Sequence, residues 1–271
     1  MRLAIVHSSR YEYAQPIAHG LMRVRLKPKS THGQVIINWA MEMDHARIET
    51  EFEDQHNNAA VLASVEPGTT VVTVTCRGTV ETADNAGVIG QHAGHMPLWA
   101  FTKPTDLTRA GPRIRKLAAS LETGPGELLA SMHLLSARVL DAVQYEIGRT
   151  DARTRAEDAL QAGHGVCQDH AHIFIAAARE LGIPARYVSG YLMMDDRSEQ
   201  EAGHAWAEVH VPDLGWVGFD VSNGISPDER YVRVATGCDY RDAAPIAGIS
   251  FGAGDSTLTV RLSVEQHTMA Q

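Results

Sequence analysis

A predicted helix followed directly by three predicted strands limits most strongly what this chain can fold into. The helix is expected from about Cys167 to Leu181, because Gly182 and Pro184 then end it. Three segments typical of strands follow at about residues 185–194, 204–211 and 216–221. We therefore predict an α+β fold in which the helix packs on an antiparallel sheet.

Strand and helix patterns also divide the rest of the chain into parts. The first 105 residues are rich in strand patterns, including a β-branched run at 69–76. Residues 258–264 alternate between apolar and polar side chains, which predicts a last strand. We predict a β-rich domain at 1–105, a helix-and-strand core at 106–250, and a C-terminal strand within 251–271 that returns to a sheet.

Helices are also expected before the Cys167 helix. Pro112 opens a stretch with apolar residues at helical spacing, and a longer apolar stripe follows Gly126. Thr154 and Glu157 have the spacing of a capping box, which predicts the start of a short helix there.

Composition excludes several classes of protein. The 271 residues are 44% hydrophobic and 21% charged, which is typical of a globular chain and not of a disordered one. The formal net charge is −9, and no nucleic-acid partner is expected, because binding a phosphate backbone requires clustered lysine and arginine. The apolar runs are far shorter than the roughly 20 residues that cross a bilayer, so no membrane partner is expected.

Cysteine usage points to a compartment. Cys76, Cys167 and Cys238 are few and odd in number, unlike a disulfide framework. The first apolar stretch is also too short for a signal peptide. We therefore expect a cytoplasmic protein, whose oligomeric state the sequence does not reveal.

Cys167 has the surroundings of a nucleophile. It follows Gly165 and Val166 at the predicted start of a helix. A helix N-terminus carries partial positive charge and unpaired N–H groups, which both stabilise a thiolate. The glycine permits a tight turn and is expected to leave space for a substrate backbone.

A hairpin is predicted to bring a base and an acid together. His204 begins one strand, Asp220 ends the next, and the turn at residues 212–215 joins them. If the loop has an odd number of residues, even positions face even positions, and His204 and Asp220 share one face within about 5–8 Å. A loop of even length would place them on opposite faces.

These three residues define a possible reaction. His204 can act as base for Cys167, and Asp220 can orient the imidazole, which suits acyl transfer on an amide or thioester. The backbone N–H of Cys167 is the first candidate oxyanion donor, with Tyr145 and Gln168 as weaker candidates for a second.

Two alternative interpretations stay open. The histidines and Cys167 between His164 and His172 are also compatible with a metal cluster, although no metal or other cofactor is expected. Trp206 is a weak candidate for substrate contact, and core packing is the more common role of such a residue.

The sequence resembles the bacterial transglutaminase-like cysteine protease family of the papain-like superfamily. The similarity spans about residues 145–250, and a looser one covers the β-rich start of the chain. The matching blocks are GVCQDHA at 165–171, LGIPARYVSGY at 181–191, HAWAEV at 204–209, GW at 215–216, Asp220, YVRVA at 231–235 and GCDY at 237–240.

The resemblance implies an N-terminal β-rich domain and a papain-like catalytic core. It places Cys167 on the family's nucleophile, His204 on its base and Asp220 on its orienting acid. Cys238 stands where an arginine is usual, and His170 where an aromatic residue is common. The expected activity is Cys-His-Asp dependent hydrolysis of a peptide or protein amide. The alternatives are protein transamidation and a catalytically idle binding protein.

Overall fold

A computed structural model describes residues 1–124 and 126–267 of the chain. The last four residues of the predicted C-terminal segment at 251–271 lie outside the described residues. The strands are β1 (Arg2–Tyr13), β2 (His19–Lys27), β3 (Gln34–Asp44), β4 (Ala46–Glu53), β5 (Ala59–Val65), β6 (Val71–Thr82), β7 (Val88–Gly90), β8 (Gln144–Tyr145), β9 (His164–Gly165), β10 (Ala185–Leu192), β11 (Glu199–Gln200), β12 (His204–Val211), β13 (Gly215–Phe219), β14 (Tyr231–Gly237), β15 (Ile246–Phe251) and β16 (Ser256–Gln266). The helices are α1 (Pro112–Ala118), α2 (Leu128–Ala142), α3 (Ala156–Ala162), α4 (Cys167–Glu180) and α5 (Tyr240–Ala243), with a 3₁₀ helix at Leu98–Thr102.

The N-terminal strands form two facing sheets. One has the order β11-β16-β1-β6-β3 and the other β15-β2-β5-β4. Apolar side chains from both sheets, among them Val24, Val61 and Val74, share one buried cluster. The predicted last strand, β16, pairs antiparallel with β1.

The core sheet has the order β14-β10-β12-β13-β7. The buried residues of α4 share one apolar cluster with this sheet and with α1, α2 and α3. The fold is therefore the predicted α+β arrangement, with the helix that begins at Cys167 packed on an antiparallel sheet.

The predicted division into three parts stays a prediction, and several strands cross it. β7 lies within the predicted N-terminal domain but pairs with β13 of the core sheet. β15, from the predicted core, pairs with β2 of the N-terminal sandwich. The chain thus links its two halves through shared sheets.

The capping box expected at Thr154 is wrong. α3 begins at Ala156 and has no side-chain cap at its N-terminus. Thr154 instead hydrogen-bonds within its own turn to Asp151. The Glu157 carboxylate accepts backbone N–H groups at the start of α1, from Gly111 at 3.0 Å and others. Glu157 therefore caps α1, a helix distant in the sequence, and not the start of its own helix, as the spacing from Thr154 predicted.

A buried ion network fixes the strand that carries His204. Glu208 of β12 is fully buried and accepts hydrogen bonds from Arg186 Nε at 2.6 Å and Arg233 Nε at 2.8 Å. Burial alone would raise the pKa of Glu208, but the two guanidinium groups outweigh it and lower that pKa. The three side chains join β12 to β10 and β14 across the sheet.

Replacing Glu208 by glutamine is expected to destabilise the fold by about 3–5 kcal/mol, because it leaves the buried guanidinium of Arg186 and the partly buried one of Arg233 without their counter-charge. Urea unfolding measures this effect. The matched control is Glu51→Gln, which breaks an exposed pair with Lys27 at 3.0 Å and should cost at most about 1 kcal/mol. Equal unfolding free energies for the two variants would contradict the prediction.

Candidate active site

Cys167 is the first residue of α4 and is half-buried. Val166 precedes it in an extended conformation, and its N–H donates to Asp169 Oδ2 at 2.8 Å. The N–H of Cys167 belongs to the first turn of the helix, where backbone donors have no intrahelical partner. The sulfur therefore lies at the positive end of the helix dipole.

Gly165 has a different role from the one expected. A Cβ at this position would lie 2.7 Å from Asp169 Cβ, so only glycine fits beside that carboxylate. Asp169 also accepts a hydrogen bond from Thr150 Oγ1 at 2.6 Å. The space beside the glycine is thus filled by a side chain that fixes the helix start, and is not left for a substrate backbone.

The β12–β13 hairpin has the register predicted for an odd loop. Val211 pairs with Gly215 and Ala207 with Phe219, so even positions face even positions. His204 and Asp220 lie on one face, and His204 Nε2 donates to Asp220 Oδ2 at 2.6 Å. Both side chains are buried, Asp220 fully.

Asp220 is held by more donors than sequence reasoning identified. Its Oδ2 accepts from Tyr231 Oη at 2.7 Å and Asn223 Nδ2 at 2.7 Å, besides His204. The backbone N–H of Asn223 donates to Oδ1 at 3.3 Å. A carboxylate with this set of donors has a fixed plane, and it fixes the ring of His204 in turn.

The charges of this pair reinforce each other. Burial lowers the pKa of His204, but its contacts with the carboxylate of Asp220 and with Cys167 outweigh burial and raise that pKa to about 10. Burial would raise the pKa of Asp220, but the contacts with His204, Asn223 and Tyr231 lower it. At neutral pH the imidazolium and the carboxylate are both favoured, with the Cys167 sulfur as the second partner of the ring.

Tyr145 is the one weaker candidate that the structure brings to the sulfur. The parallel pair β8 and β9 places it beside Gly165, and its side chain interacts with that of Cys167. Burial, followed by the contact with Cys167, raises its pKa to about 12. A hydroxyl that keeps its proton at this position can donate to an oxygen bound near the sulfur.

The structure does not bring the other two weaker candidates to the sulfur. The amide of Gln168 donates to the backbone oxygen of Asp151 at 3.3 Å. Trp206 is only 2% exposed and stacks behind His204, with ring centroids 6.3 Å apart. Trp206 therefore supports the imidazole from the protein interior, which is the packing role considered for it.

The metal cluster considered at residues 164–172 does not form among the described residues. His170 is fully buried and uses both ring nitrogens, donating from Nε2 to Val143 O at 3.0 Å and accepting at Nδ1 from Ser222 Oγ at 2.8 Å. His172 is also buried, and its Nε2 accepts the N–H of Tyr240. These histidines join α4 to its neighbours.

A cleft of about 590 Å³ opens beside the imidazole of His204 and the ring of Tyr145. His204 and Tyr145 line one end, and the 193–197 loop before β11 lines the other. Two methionines of this loop give the wall adaptable apolar surface, while its Asp195 is exposed and pairs with Arg230 at 3.2 Å. The loop between β10 and β12 is therefore the rim of the site.

Replacing Tyr231 by phenylalanine is expected to destabilise the protein by about 1.5–3 kcal/mol, because the lost hydrogen bond is made to a charged carboxylate. Chemical unfolding measures the loss. The matched control is Tyr191→Phe on β10, since burial lowers the pKa of its partner His7 to about 4 and leaves that partner neutral. The control should lose about 0.5–1.5 kcal/mol. An equal or smaller loss for the Tyr231 variant would count against this assignment.

The contribution of His204 to stability is expected to fall at alkaline pH. Its pKa is raised from 6.5 to about 10, so the stabilisation is complete below 6.5 and is lost as the pH rises through about 10. The difference in unfolding free energy between the wild type and His204→Gln should therefore narrow from neutral pH to pH 10. His210→Gln is the control on the same strand. Burial lowers the pKa of His210, so that difference should stay constant over this range.

Comparison with known proteins assigns the fold to a family. Residues 115–221 match the transglutaminase-like superfamily, and residues 3–81 match the bacterial transglutaminase-like N-terminal region. The chain belongs to the transglutaminase-like superfamily, in its bacterial form with this N-terminal region. The family and fold expected from the sequence are thereby confirmed.

Relatives of similar length are known. An uncharacterized protein of Mycobacterium leprae is 29% identical over 97% of this chain and 98% of its own length. An uncharacterized protein of Mycobacterium tuberculosis is 28% identical over 95% of this chain and 90% of its own. The crystal structure of a candidate cysteine protease from Cytophaga hutchinsonii is similar to the whole chain, with a TM-score of 0.75, 22% identity and 92% of that chain covered. This last similarity shows the fold.

Among the described residues, no helix has the length and apolar character to cross a membrane. The cytoplasmic location expected from the cysteine content stays a prediction.

Proposed function

We propose that this protein is a cysteine-dependent amidase or peptidase with Cys167 as nucleophile, His204 as base and Asp220 as the orienting acid. The observation that carries the proposal is the buried 2.6 Å hydrogen bond from His204 Nε2 to Asp220. It leaves the other ring nitrogen, Nδ1, for the sulfur. The three groups are then arranged in series, with the sulfur at the start of α4, the imidazole in the middle and the carboxylate at the end of the β12–β13 hairpin.

The reaction proceeds in two halves. The sulfur attacks the amide carbonyl, and the C–N bond breaks as His204 gives its proton to the leaving amine. This leaves a thioester on Cys167. Water then gives a proton to His204 and adds to the thioester, and the C–S bond breaks to release the acid. The backbone N–H of Cys167 and the hydroxyl of Tyr145 are the proposed donors to the oxyanion.

Access of water favours hydrolysis over transfer to an amine. Tyr145 is half exposed beside the sulfur, and charged side chains of the 193–197 loop line the far end of the cleft. A thioester formed there is not shielded from solvent, and transfer to an amine depends on such shielding. Water is therefore the proposed second reactant. The proposed first substrate is a peptide or protein amide.

An electrophile and amide panel tests the proposal. The protein is treated with electrophilic amides, and labelled Cys167 is identified by mass spectrometry. Hydrolysis is followed by release of the amine from peptide amides. In parallel, a fluorescent primary amine is offered together with a glutamine-containing protein. Amine release with labelling at Cys167 supports the proposal.

Two other outcomes would overturn it. Incorporation of the amine at a rate above hydrolysis would make the protein a transamidase. Labelling of Cys167 no faster than that of Cys76 and Cys238, without turnover, would indicate an idle binding protein. The other two thiols serve as internal standards, since burial raises their pKa to about 12 and about 11.

A further inference from the structure

A second group of potential metal ligands lies outside the candidate active site. His56 is in the loop between β4 and β5, Cys238 follows β14, and Asp242 is in α5. One ligand atom from each lies within 4.8 Å of those of the other two. The group is therefore built by the N-terminal sandwich and the core together.

The geometry suits a small divalent cation. His56 Nε2 and Asp242 Oδ2 are 3.1 Å apart. Nitrogen and oxygen ligands of tetrahedral Zn²⁺, bound at about 2.0–2.1 Å, are separated by roughly 3.3 Å. The observed separation of the two atoms is close to this distance between ligands. Cys238 adds a thiol, the ligand type that favours zinc and similar soft cations over Mg²⁺ or Ca²⁺.

The buried imidazole is incompletely satisfied. The side chain of His56 is 2% exposed, and its Nδ1 has no hydrogen-bond partner among the described residues. Moving the ring proton from Nε2 to Nδ1 would therefore break no other hydrogen bond and would free the Nε2 lone pair, which is directed at Asp242. The imidazole can therefore adopt the tautomer that a cation at Nε2 requires without losing any contact at Nδ1.

The neighbouring charges permit a dication. Arg25 is paired with Asp54 at 2.7 Å, so its charge is compensated. Arg179 donates to the backbone oxygen of Cys238 at 2.7 Å. The negative charge of Asp239 interacts favourably with the guanidinium of Arg179. A thiolate at Cys238 and the carboxylate of Asp242 would balance two positive charges. Asp242 is one-third exposed, which leaves a path for entry and room for a water ligand.

We propose that His56, Cys238 and Asp242 bind a divalent transition metal of the zinc type and thereby tie the β4–β5 loop to α5. Binding releases the thiol proton of Cys238 and the proton that His56 and Asp242 share, or moves the latter to Nδ1. A water molecule completes a tetrahedral set. The site is structural, because it lies on other elements than those that carry Cys167, His204 and Asp220.

The test uses the full-length Cys167→Ala variant, so that the candidate active site has no thiol that could compete for metal. This protein is titrated with Co²⁺, which gives a thiolate charge-transfer absorption, and with Zn²⁺ by equilibrium dialysis. We expect one metal ion per chain and a higher Tm with Zn²⁺. Adding Cys238→Ser or His56→Gln should weaken binding by more than the roughly 10–100-fold that the loss of an outer-shell partner costs.

The control is His45→Gln in the same Cys167→Ala background. His45 is exposed, and its ring contacts Glu66, which is not part of the proposed metal site. Metal binding should therefore be unchanged in this variant. Absence of the thiolate absorption and of any rise in Tm would overturn the proposal, and so would binding that survives Cys238→Ser. Circular dichroism of each variant without metal shows that it is folded. The result does not depend on catalysis, since every protein in the test lacks Cys167.

Discussion

The Cys167→Ala variant is expected to lose amide turnover by a factor on the order of 10⁴–10⁶ while keeping its fold. The sulfur is the only group in the site that forms the covalent bond of the proposed mechanism. Alanine is compatible with the first turn of a helix, and Cys167 is half-buried, so we expect a change in unfolding free energy of at most about 1 kcal/mol. Activity and stability should therefore separate in this variant.

The chain provides its own standards for the nucleophile. Cys76 lies fully buried in the sandwich, and burial raises its pKa to about 12. Burial and nearby carboxylates raise the pKa of Cys238 to about 11, although Arg179 opposes them. In the wild type, iodoacetamide should modify Cys167 first, as followed by peptide mass spectrometry. Turnover by Cys167→Ala within tenfold of the wild type would remove Cys167 from the mechanism.

The features of the fold that depend on local chemistry could be predicted from the sequence. The helix expected from about Cys167 to Leu181 is observed as Cys167–Glu180, because glycine and proline end helices for steric reasons. For the hairpin of His204 and Asp220 the sequence left two registers open, one for an odd loop and one for an even loop, and the structure has the odd-loop register, in which both residues share a face. Both features depend on short-range rules.

The features that depend on long-range contacts could not be predicted from the sequence. Tyr231 reaches Asp220 because β14 and β12 both pair with β10, an order that no spacing in the sequence reveals. Glu157 has the spacing of a local cap, yet the nearest unpaired N–H groups belong to α1. Gly165 was assigned to substrate access, but the fold had already filled that space with Asp169. Tertiary packing decided each case.

The Asp220→Asn variant is expected to reduce turnover by about 10³–10⁴-fold, the scale typical of losing the acid that orients a catalytic histidine. Asparagine has nearly the same shape but only one acceptor oxygen. If that oxygen replaces Oδ2, it keeps the donors from His204, Tyr231 and the Asn223 side chain. The amide NH₂ then faces the backbone N–H of Asn223, which donates to Oδ1 in the wild type. The opposite orientation places the NH₂ against the three stronger donors, so each orientation contains a conflict.

Loss of the negative charge also changes the imidazole. The carboxylate of Asp220 is one of the groups that raise the pKa of His204 to about 10, so the variant should have a less basic histidine and a weaker partner for a thiolate. The alkylation rate of Cys167 at neutral pH should fall along with turnover. The control is Asp228→Asn in the segment before β14, which breaks a pair with Arg230 at 2.6 Å and leaves the bonds to His204 intact. If the Cys167 alkylation rate and the amide turnover of Asp220→Asn were both within tenfold of the control values, Asp220 would be a packing residue. The imidazole would then be oriented by Trp206 and the sheet alone.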